Sequence, residues 1–171
     1  MVSTPEPSAF RVDKAKWEKD SFSGRGAALE GGRWNPPGIS VVYASQHLAM
    51  AAMEKLVHFR PGVGSKVRYV SFRIYFLNTA IEVLSPQKLP ANWDAKPVCL
   101  ETQQIGAEWF ASRRTAILQV PSAIIPSEWN FVLNPLHPDF TKIKIEAAAP
   151  FAFDPRLLIQ PTQPKSDLLA T

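Results

Sequence analysis

A glycine-rich turn, a short apolar strand and a helix follow one another directly over residues 31–58, and this succession constrains the fold more than any other part of the chain. The apolar, β-branched run at 39–44 predicts a buried strand. Ser45 then offers an N-cap for a helix over 46–59. The sequence therefore predicts one strand–helix unit near the start of the chain.

Three chemically different side chains fall on this unit. Arg33 lies in the turn, Tyr43 near the end of the strand and Glu54 inside the helix. We expect the side of the helix that carries Glu54 to be covered, because it is poor in charge, so its carboxylate needs a partner or a purpose. A cation, an aromatic hydroxyl and a carboxylate at one edge suit a phosphate-bearing ligand with a sugar bond to break. The main apolar face of the helix is predicted to comprise Leu48, Ala49, Ala52, Met53, Leu56 and Phe59.

The rest of the chain predicts an α+β domain with a mixed sheet and flanking helices. Residues 67–76 alternate between apolar and wetter side chains, which indicates a strand with one buried face. A second helix is predicted over 103–113. Shorter strands, bounded by proline and asparagine, are predicted at 81–84, 115–120, 131–133, 142–146 and 151–153.

Composition and charge exclude several classes of protein. With 171 residues, 46% hydrophobic and 20% charged, the chain suits one folded domain rather than a disordered or fibrous protein. Its net charge of +4 comes without any run of Lys or Arg, so duplex nucleic-acid binding has weak support. One cysteine excludes an internal disulfide, and the three histidines lack metal-ligand spacing, so no metal is expected. Neither a membrane span nor a secretory signal is visible, and we expect a cytoplasmic protein.

An ordered series of motifs resembles the RES domain family. The first half of the chain carries Gly24-Arg-Gly-Ala, Gly31-Gly-Arg-Trp-Asn-Pro-Pro-Gly, Val42-Tyr-Ala-Ser and Met53-Glu-Lys-Leu-Val-His. The second half carries, in the family's order, Leu89-Pro-Ala-Asn-Trp, Gln104-Ile-Gly-Ala-Glu-Trp, Val120-Pro-Ser-Ala, Asn130 to Asn134-Pro, His137-Pro-Asp-Phe and Phe153-Asp-Pro-Arg-Leu. The resemblance assigns residues 10–158 to a RES domain, with 1–9 expected as a loose leader and 159–171 as a loose tail.

This resemblance implies a fold like the catalytic core of ADP-ribosylating toxins, in the toxin half of a bacterial type II toxin–antitoxin pair. Family members consume NAD by hydrolysis or phosphorolysis of the nicotinamide–ribose bond, and at least one branch ADP-ribosylates a protein. NAD is therefore expected as a substrate, inorganic phosphate as an optional co-substrate, and no cofactor as a permanent ligand. The expected partner is an Xre-like antitoxin in a hetero-oligomer, and DNA contact is expected only through that antitoxin.

The resemblance also assigns catalytic roles. The family's arginine, glutamate and serine match Arg33, Glu54 and Ser122. Tyr43 matches the usual fourth member. Arg33 would clamp the pyrophosphate, while Glu54 would stabilise positive charge on the ribose. Tyr43 would stack on nicotinamide and orient the ligand through its hydroxyl, and Ser122 would donate to the ligand. Structural roles stay open for all four, among them pairing of Glu54 with His58 or Lys55 along the helix and a turn role for Ser122.

Four further residues are candidates for binding NAD. Trp34 directly follows the turn arginine. Asn130 and Asn134 flank an apolar strand, where they either contact the ligand or cap the proline-rich loops. Many relatives carry a polar or basic residue at the positions of residues 28–30, which here are apolar or acidic. Arg25 is therefore a candidate to replace the phosphate contact that such a residue would make.

Three functions stay open on this basis. The leading interpretation is a toxin that degrades NAD with water or phosphate as the acceptor. The second shares the bond cleavage but transfers ADP-ribose to a protein. The third is a non-catalytic module that binds nucleic acid through its positive charge.

Overall fold

The computed structural model describes residues 7–59 and 67–158, and within them eight strands form one sheet that three α-helices flank. Short 3₁₀ helices fill several of the connections, among them Ala15–Asp20 directly after the first strand. The strands are β1 Ser8–Lys14, β2 Val42–Ser45, β3 Tyr69–Tyr75, β4 Ile81–Val83, β5 Ile117–Pro121, β6 Trp129–Leu133, β7 Lys144–Ile145 and β8 Ala149–Phe151. The helices are α1 Arg25–Glu30, α2 Leu48–Leu56 and α3 Leu100–Ser112.

The sheet is mixed, as predicted. Its strands run in the order β4-β5-β6-β2-β1-β3-β7, and β8 also pairs with β3. β4 pairs with β5 in parallel, whereas the other strand pairs are antiparallel. The prediction of an α+β fold with a mixed sheet is therefore confirmed.

The sheet opens between β1 and β2. β1 pairs with β3 over seven residue pairs, but its register with β2 consists of the single pair Phe10↔Ser45. Beyond that pair, Nη1 of Arg11 donates to the carbonyl of Tyr43 at 2.9 Å, so a side chain takes a carbonyl that a continued ladder would have used. This opening lies at the centre of the sheet, next to the strand that carries Tyr43.

Two elements, β1 and α1, lie outside the sequence-based predictions. β1 begins at Ser8, so the last two residues of the segment expected to be a loose leader belong to a strand. The sequence of β1 does not show the usual alternation of apolar and polar side chains, because Arg11 and Asp13 lie on the same face as the fully buried Ala9. Residues 1–6 and 159–171, which hold the remainder of the expected leader and the whole expected tail, lie outside the described residues.

Helix α2 packs with most of its predicted apolar face and also with the side that carries Glu54. Met50 and Ala51 are its buried residues, whereas Ala49 is exposed. Glu54 follows them by four and three residues and therefore shares their face. That side of the helix is buried at Met50 and Ala51 but exposed at Val57 and His58, so the expectation that it is covered is confirmed only in part. The N-cap is His47, because Ser45 belongs to β2. Four residues of the predicted apolar face pack, partly buried, against a core cluster that contains Val12 and Tyr69: Leu48, Ala52, Leu56 and Phe59.

Helix α3 packs closely against the glycine-rich turn. A Cβ on Gly106 would overlap the carbonyl of Trp34, so only glycine allows this approach. Trp34 and Trp109 are each 2% exposed and share a core cluster with strands β5 and β6. In the described part of the chain, no helix has the length and apolar character needed to cross a membrane.

Candidate active site

The carboxylate of Glu54 is held from two directions. Ser122, directly after β5, donates from Oγ to Oε1 of Glu54 at 2.9 Å. Asn130, on β6, donates from Nδ2 to the same oxygen at 2.5 Å. Both described hydrogen bonds of this carboxylate therefore fall on Oε1, and Oε2 is the oxygen left to meet a ligand.

Both donors are themselves fixed by the fold. Ser45, opposite Asn130 in the β2–β6 register, donates from Oγ to Oδ1 of Asn130 at 2.7 Å. Ser122 is fully buried, and its Oγ also accepts the backbone N–H groups of Ile124 at 3.1 Å and Ile125 at 3.3 Å. The open structural role of Ser122 as a turn serine is therefore confirmed. Its hydroxyl hydrogen goes to the Glu54 carboxylate, and a bond from Ser122 to the ligand stays a prediction.

Tyr43 ties the strand to the glycine-rich turn. Its hydroxyl donates to Oδ1 of Asn35 at 2.7 Å and accepts the backbone N–H of Trp34 at 3.0 Å. Burial raises the pKa of Tyr43 well above its ordinary value, so the hydroxyl stays neutral across the physiological range. A Cβ on Gly32 would lie 2.6 Å from this hydroxyl, which explains the glycine at that position. The hydroxyl therefore orients the turn, and the contacts of the hydroxyl and of the ring with a ligand stay predictions.

Arg33 lies over the loop that precedes α3. Its Nη1 donates to the carbonyls of Trp93 and Ala95, the latter at 3.2 Å, and its Nη2 donates to Ala95 at 3.2 Å. The charges of Arg33 and Glu54 both act on Tyr43, the first lowering and the second raising its pKa. The structure thus brings these three predicted residues within electrostatic reach of one another.

Two predicted ligand contacts, Trp34 and Asn134, are buried, and their contact with a ligand stays a prediction. Trp34 is 2% exposed and belongs to a core cluster. Asn134 is 1% exposed, and its Oδ1 accepts the backbone N–H of Leu136 at 2.9 Å, so it caps the loop after β6. Arg25 is exposed as the first residue of α1, and its contact with a phosphate stays a prediction.

An ion-pair network that the sequence did not predict joins β1 to α2. Asp13, 8% exposed, accepts from Nη2 of Arg11 at 2.7 Å and from Nζ of Lys55 at 3.3 Å. Burial opposes its charge, but both cations and the backbone N–H of Lys14 outweigh burial and hold the pKa of Asp13 below its ordinary value. Lys55 therefore pairs with Asp13, and the predicted local pairing of Glu54 with Lys55 is wrong.

Arg11 stands out within this network. Its Nε is buried and has no hydrogen-bond partner within residues 7–59 and 67–158. An orphan donor of this kind is uncommon in folded proteins. The available sequence signal was the pair Arg11 and Asp13, two residues apart and hence on one face of an otherwise apolar strand.

No metal site appears among the described residues, where no group of three or more His, Cys, Asp or Glu side chains is placed to hold an ion. The candidate residues are a carboxylate that is fixed by two donors, a neutral phenol and the guanidinium group of Arg33, with Arg11 beside the opening of the sheet. Such a set matches a ligand that combines negative phosphates with a sugar on which positive charge develops.

Known proteins resemble this chain in sequence and in fold. A protein named Prs ADP-ribosylating toxin, from Sphingobium sp. (strain YBL2), is 40% identical over 150 residues, covering 86% of this chain and 92% of that protein. Toxin Res of Yersinia enterocolitica is 35% identical over 149 residues, covering 86% and 97%. A chain in the crystal structure of the M. tuberculosis MbcT–MbcA toxin–antitoxin complex shares the fold, with a TM-score of 0.69 at 18% identity over 86% of this chain and 85% of that one. The family model described as RES domain matches residues 8–154, and the chain belongs to the RES domain family.

Proposed function

We propose that this chain is the toxin of a toxin–antitoxin pair and that it cleaves the nicotinamide–ribose bond of NAD. The observation that carries the proposal is the Glu54 carboxylate, held at Oε1 by Ser122 and Asn130. A carboxylate that is fixed at one oxygen and available at the other is suited to act on a reacting sugar. The names of the related toxins support the biological role.

Glu54 stabilises the charge that develops during cleavage. As the bond between ribose C1′ and the nicotinamide nitrogen breaks, its electron pair stays on nitrogen and nicotinamide leaves neutral. The ribose gains oxocarbenium character, which a nearby anion stabilises. Oε2 of Glu54 also accepts a hydrogen bond from a ribose hydroxyl and holds the sugar in a reactive orientation. Tyr43 contributes its ring, since its hydroxyl is neutral and bonded to the turn.

Arg33 supplies the contact to the pyrophosphate. Its described bonds to Trp93 and Ala95 use both hydrogens of Nη1 and one of Nη2. The edge formed by Nε and the second Nη2 hydrogen is the one that binds phosphate in a bidentate manner. Arg11, whose Nε has no described partner, supplies a second positive group beside the opening of the sheet.

Water or inorganic phosphate is the first candidate for the acceptor of ADP-ribose. A sugar with oxocarbenium character reacts with weak nucleophiles, and either molecule can enter a small cleft. A protein side chain is the second candidate, and one observation favours it. The relative that is 40% identical is named an ADP-ribosylating toxin.

The proposed partner is an Xre-like antitoxin. The related proteins are named toxins, and the similar fold comes from a toxin–antitoxin complex. Because the basic residues of this chain form no run, we assign any DNA contact to the antitoxin.

One assay tests the proposal and separates the acceptors. The purified chain is incubated with NAD labelled in its adenylate half, with and without inorganic phosphate and a bacterial lysate. Release of nicotinamide supports the cleavage. Soluble ADP-ribose then indicates hydrolysis, a phosphate-dependent product indicates phosphorolysis, and a labelled protein band indicates transfer. NAD that stays intact under all conditions contradicts the proposed function.

A further inference from the structure

The support of Glu54 extends one residue beyond the side chains that touch it. Ser45 and Asn130 lie directly opposite each other in the β2–β6 ladder, and Oγ of Ser45 donates to Oδ1 of Asn130 at 2.7 Å. Asn130 in turn donates from Nδ2 to Oε1 of Glu54 at 2.5 Å. A short line of hydrogen bonds therefore runs from the middle of the sheet to the carboxylate.

We propose that Ser45 is a positioning residue, which acts on Glu54 by fixing the side-chain amide of Asn130. This inference rests on the proposed cleavage of NAD and names a further residue that it requires. Ser45 is 3% exposed and its described side-chain bond goes to Asn130, so its effect on a ligand is indirect.

The physical reason is the two-sided nature of an amide group. Its oxygen and nitrogen ends have nearly the same shape, but only the nitrogen end donates. An ionised carboxylate accepts only, so a flipped Asn130 would set oxygen against oxygen at Glu54. The hydroxyl of Ser45 donates to Oδ1 and so favours the orientation in which Nδ2 faces the carboxylate. Without that hydroxyl, Oδ1 of Asn130 lacks a donor and the amide is free to rotate.

Steady-state kinetics of nicotinamide release test the role of Ser45. Ser45→Ala is expected to lower kcat about fivefold to tenfold, the effect of losing one hydrogen bond, and to leave KM for NAD nearly unchanged. Ser45→Thr, which keeps the hydroxyl and suits a strand, is expected to restore most of the lost kcat. A normal kcat for Ser45→Ala in an active protein overturns the inference alone.

Ser21→Ala is the matched control. Ser21 is also 3% exposed, but its Oγ donates to the carbonyl of Trp17 at 3.1 Å, in the segment after β1. It is expected to keep the kcat of the unaltered chain even if its unfolding midpoint falls as far as that of Ser45→Ala. If kcat falls in both variants in proportion to the fall of the unfolding midpoint, the loss of activity in Ser45→Ala is an effect of general stability, and the inference is overturned.

A double-mutant cycle shows whether Ser45 acts through Asn130. Once Asn130→Ala has removed the amide, adding Ser45→Ala is expected to lower kcat no further. Additive losses in the double variant overturn the inference, because Ser45 would then act by another route. An unaltered chain that releases no nicotinamide overturns the proposed function and this inference with it.

Discussion

At the scale of single residues, the site depends on which atoms of a side chain are already bonded. Tyr43 was predicted from the resemblance as a ligand residue, yet its hydroxyl joins Asn35 and the backbone of Trp34. Ser122 likewise gives its donor to Glu54. The motifs indicated which side chains belong to the candidate site. Their hydrogen-bond partners could not be read from the motifs, because several of these partners lie on distant elements that only the fold brings close.

Replacing Tyr43 with Phe tests the role of its hydroxyl in the turn. The change leaves the N–H of Trp34 and Oδ1 of Asn35 without their partner, and we expect the free energy of unfolding at pH 7 to fall by about 1–3 kcal/mol. Urea denaturation measures this difference. Equal stability of Tyr43→Phe and the unaltered chain would contradict the described bonding.

The pH dependence of the same variant gives a second check. Because the pKa of Tyr43 is raised in the folded protein, its stabilising effect is complete below the ordinary tyrosine value and is lost as pH rises above about 10. The stability of the unaltered chain should therefore fall more steeply above that pH than the stability of Tyr43→Phe. Parallel curves would contradict the raised pKa.

At the scale of elements, helices α2 and α3 and most strands could be predicted, but their contacts with one another could not. The alternation at 67–76 gave β3 correctly, with Val70, Phe72, Ile74 and Phe76 buried. β1 was missed because a charged pair interrupts its apolar pattern. The apolar face of α2 was predicted correctly in large part, since Leu48, Ala52 and Leu56 pack against a core cluster. The polar contacts of Glu54 on the other side of the helix could not be predicted from periodicity, because Ser122 and Asn130 come from distant strands.

The packing of α3 on the glycine-rich turn gives a prediction at this scale. In Gly106→Ala the new methyl group overlaps the carbonyl of Trp34, and we expect a loss of about 3 kcal/mol or more in the free energy of unfolding. Gly26→Ala in α1 is the control, because a Cβ there meets no atom within 4 Å. Thermal and urea unfolding of both variants measure the difference, and a Gly106→Ala protein as stable as the control would contradict the close approach.

The link between β1 and α2 gives another prediction. Asp13→Asn keeps the side-chain shape but removes the charge that holds Arg11 and Lys55, and we expect a loss of about 2 kcal/mol at pH 7. Since the pKa of Asp13 is lowered in the folded protein, its contribution is present above the ordinary value of about 4 and disappears as pH falls through the folded-state value. The two proteins should therefore converge in stability in strong acid.

Urea denaturation at pH 7 and pH 3 measures this convergence. Asp20→Asn is the control, because Asp20 is exposed in the segment after β1. A constant difference between Asp13→Asn and the unaltered chain at both pH values would show that charge is not the source of the effect.

At the scale of the whole molecule, one opening in the sheet organises the site. β1 and β2 pair at Phe10↔Ser45 and then separate, and Tyr43, Arg11 and the α2 helix with Glu54 gather around the gap. The motif order predicted that the two halves of the chain supply one site. The opening itself was beyond prediction, since it depends on register between strands that are more than thirty residues apart.

The most direct measurement of the central claim is nicotinamide release from NAD by Glu54→Gln beside the unaltered chain. Gln places a donor where Oε2 now stands, while its oxygen still accepts from Ser122 and Asn130. Glu101→Gln, an exposed glutamate at the start of α3, is the control. We predict a rate at least about a hundredfold lower for Glu54→Gln, with an unchanged fold by circular dichroism and an unaltered rate in the control. Equal nicotinamide release by Glu54→Gln and the unaltered chain would contradict the account.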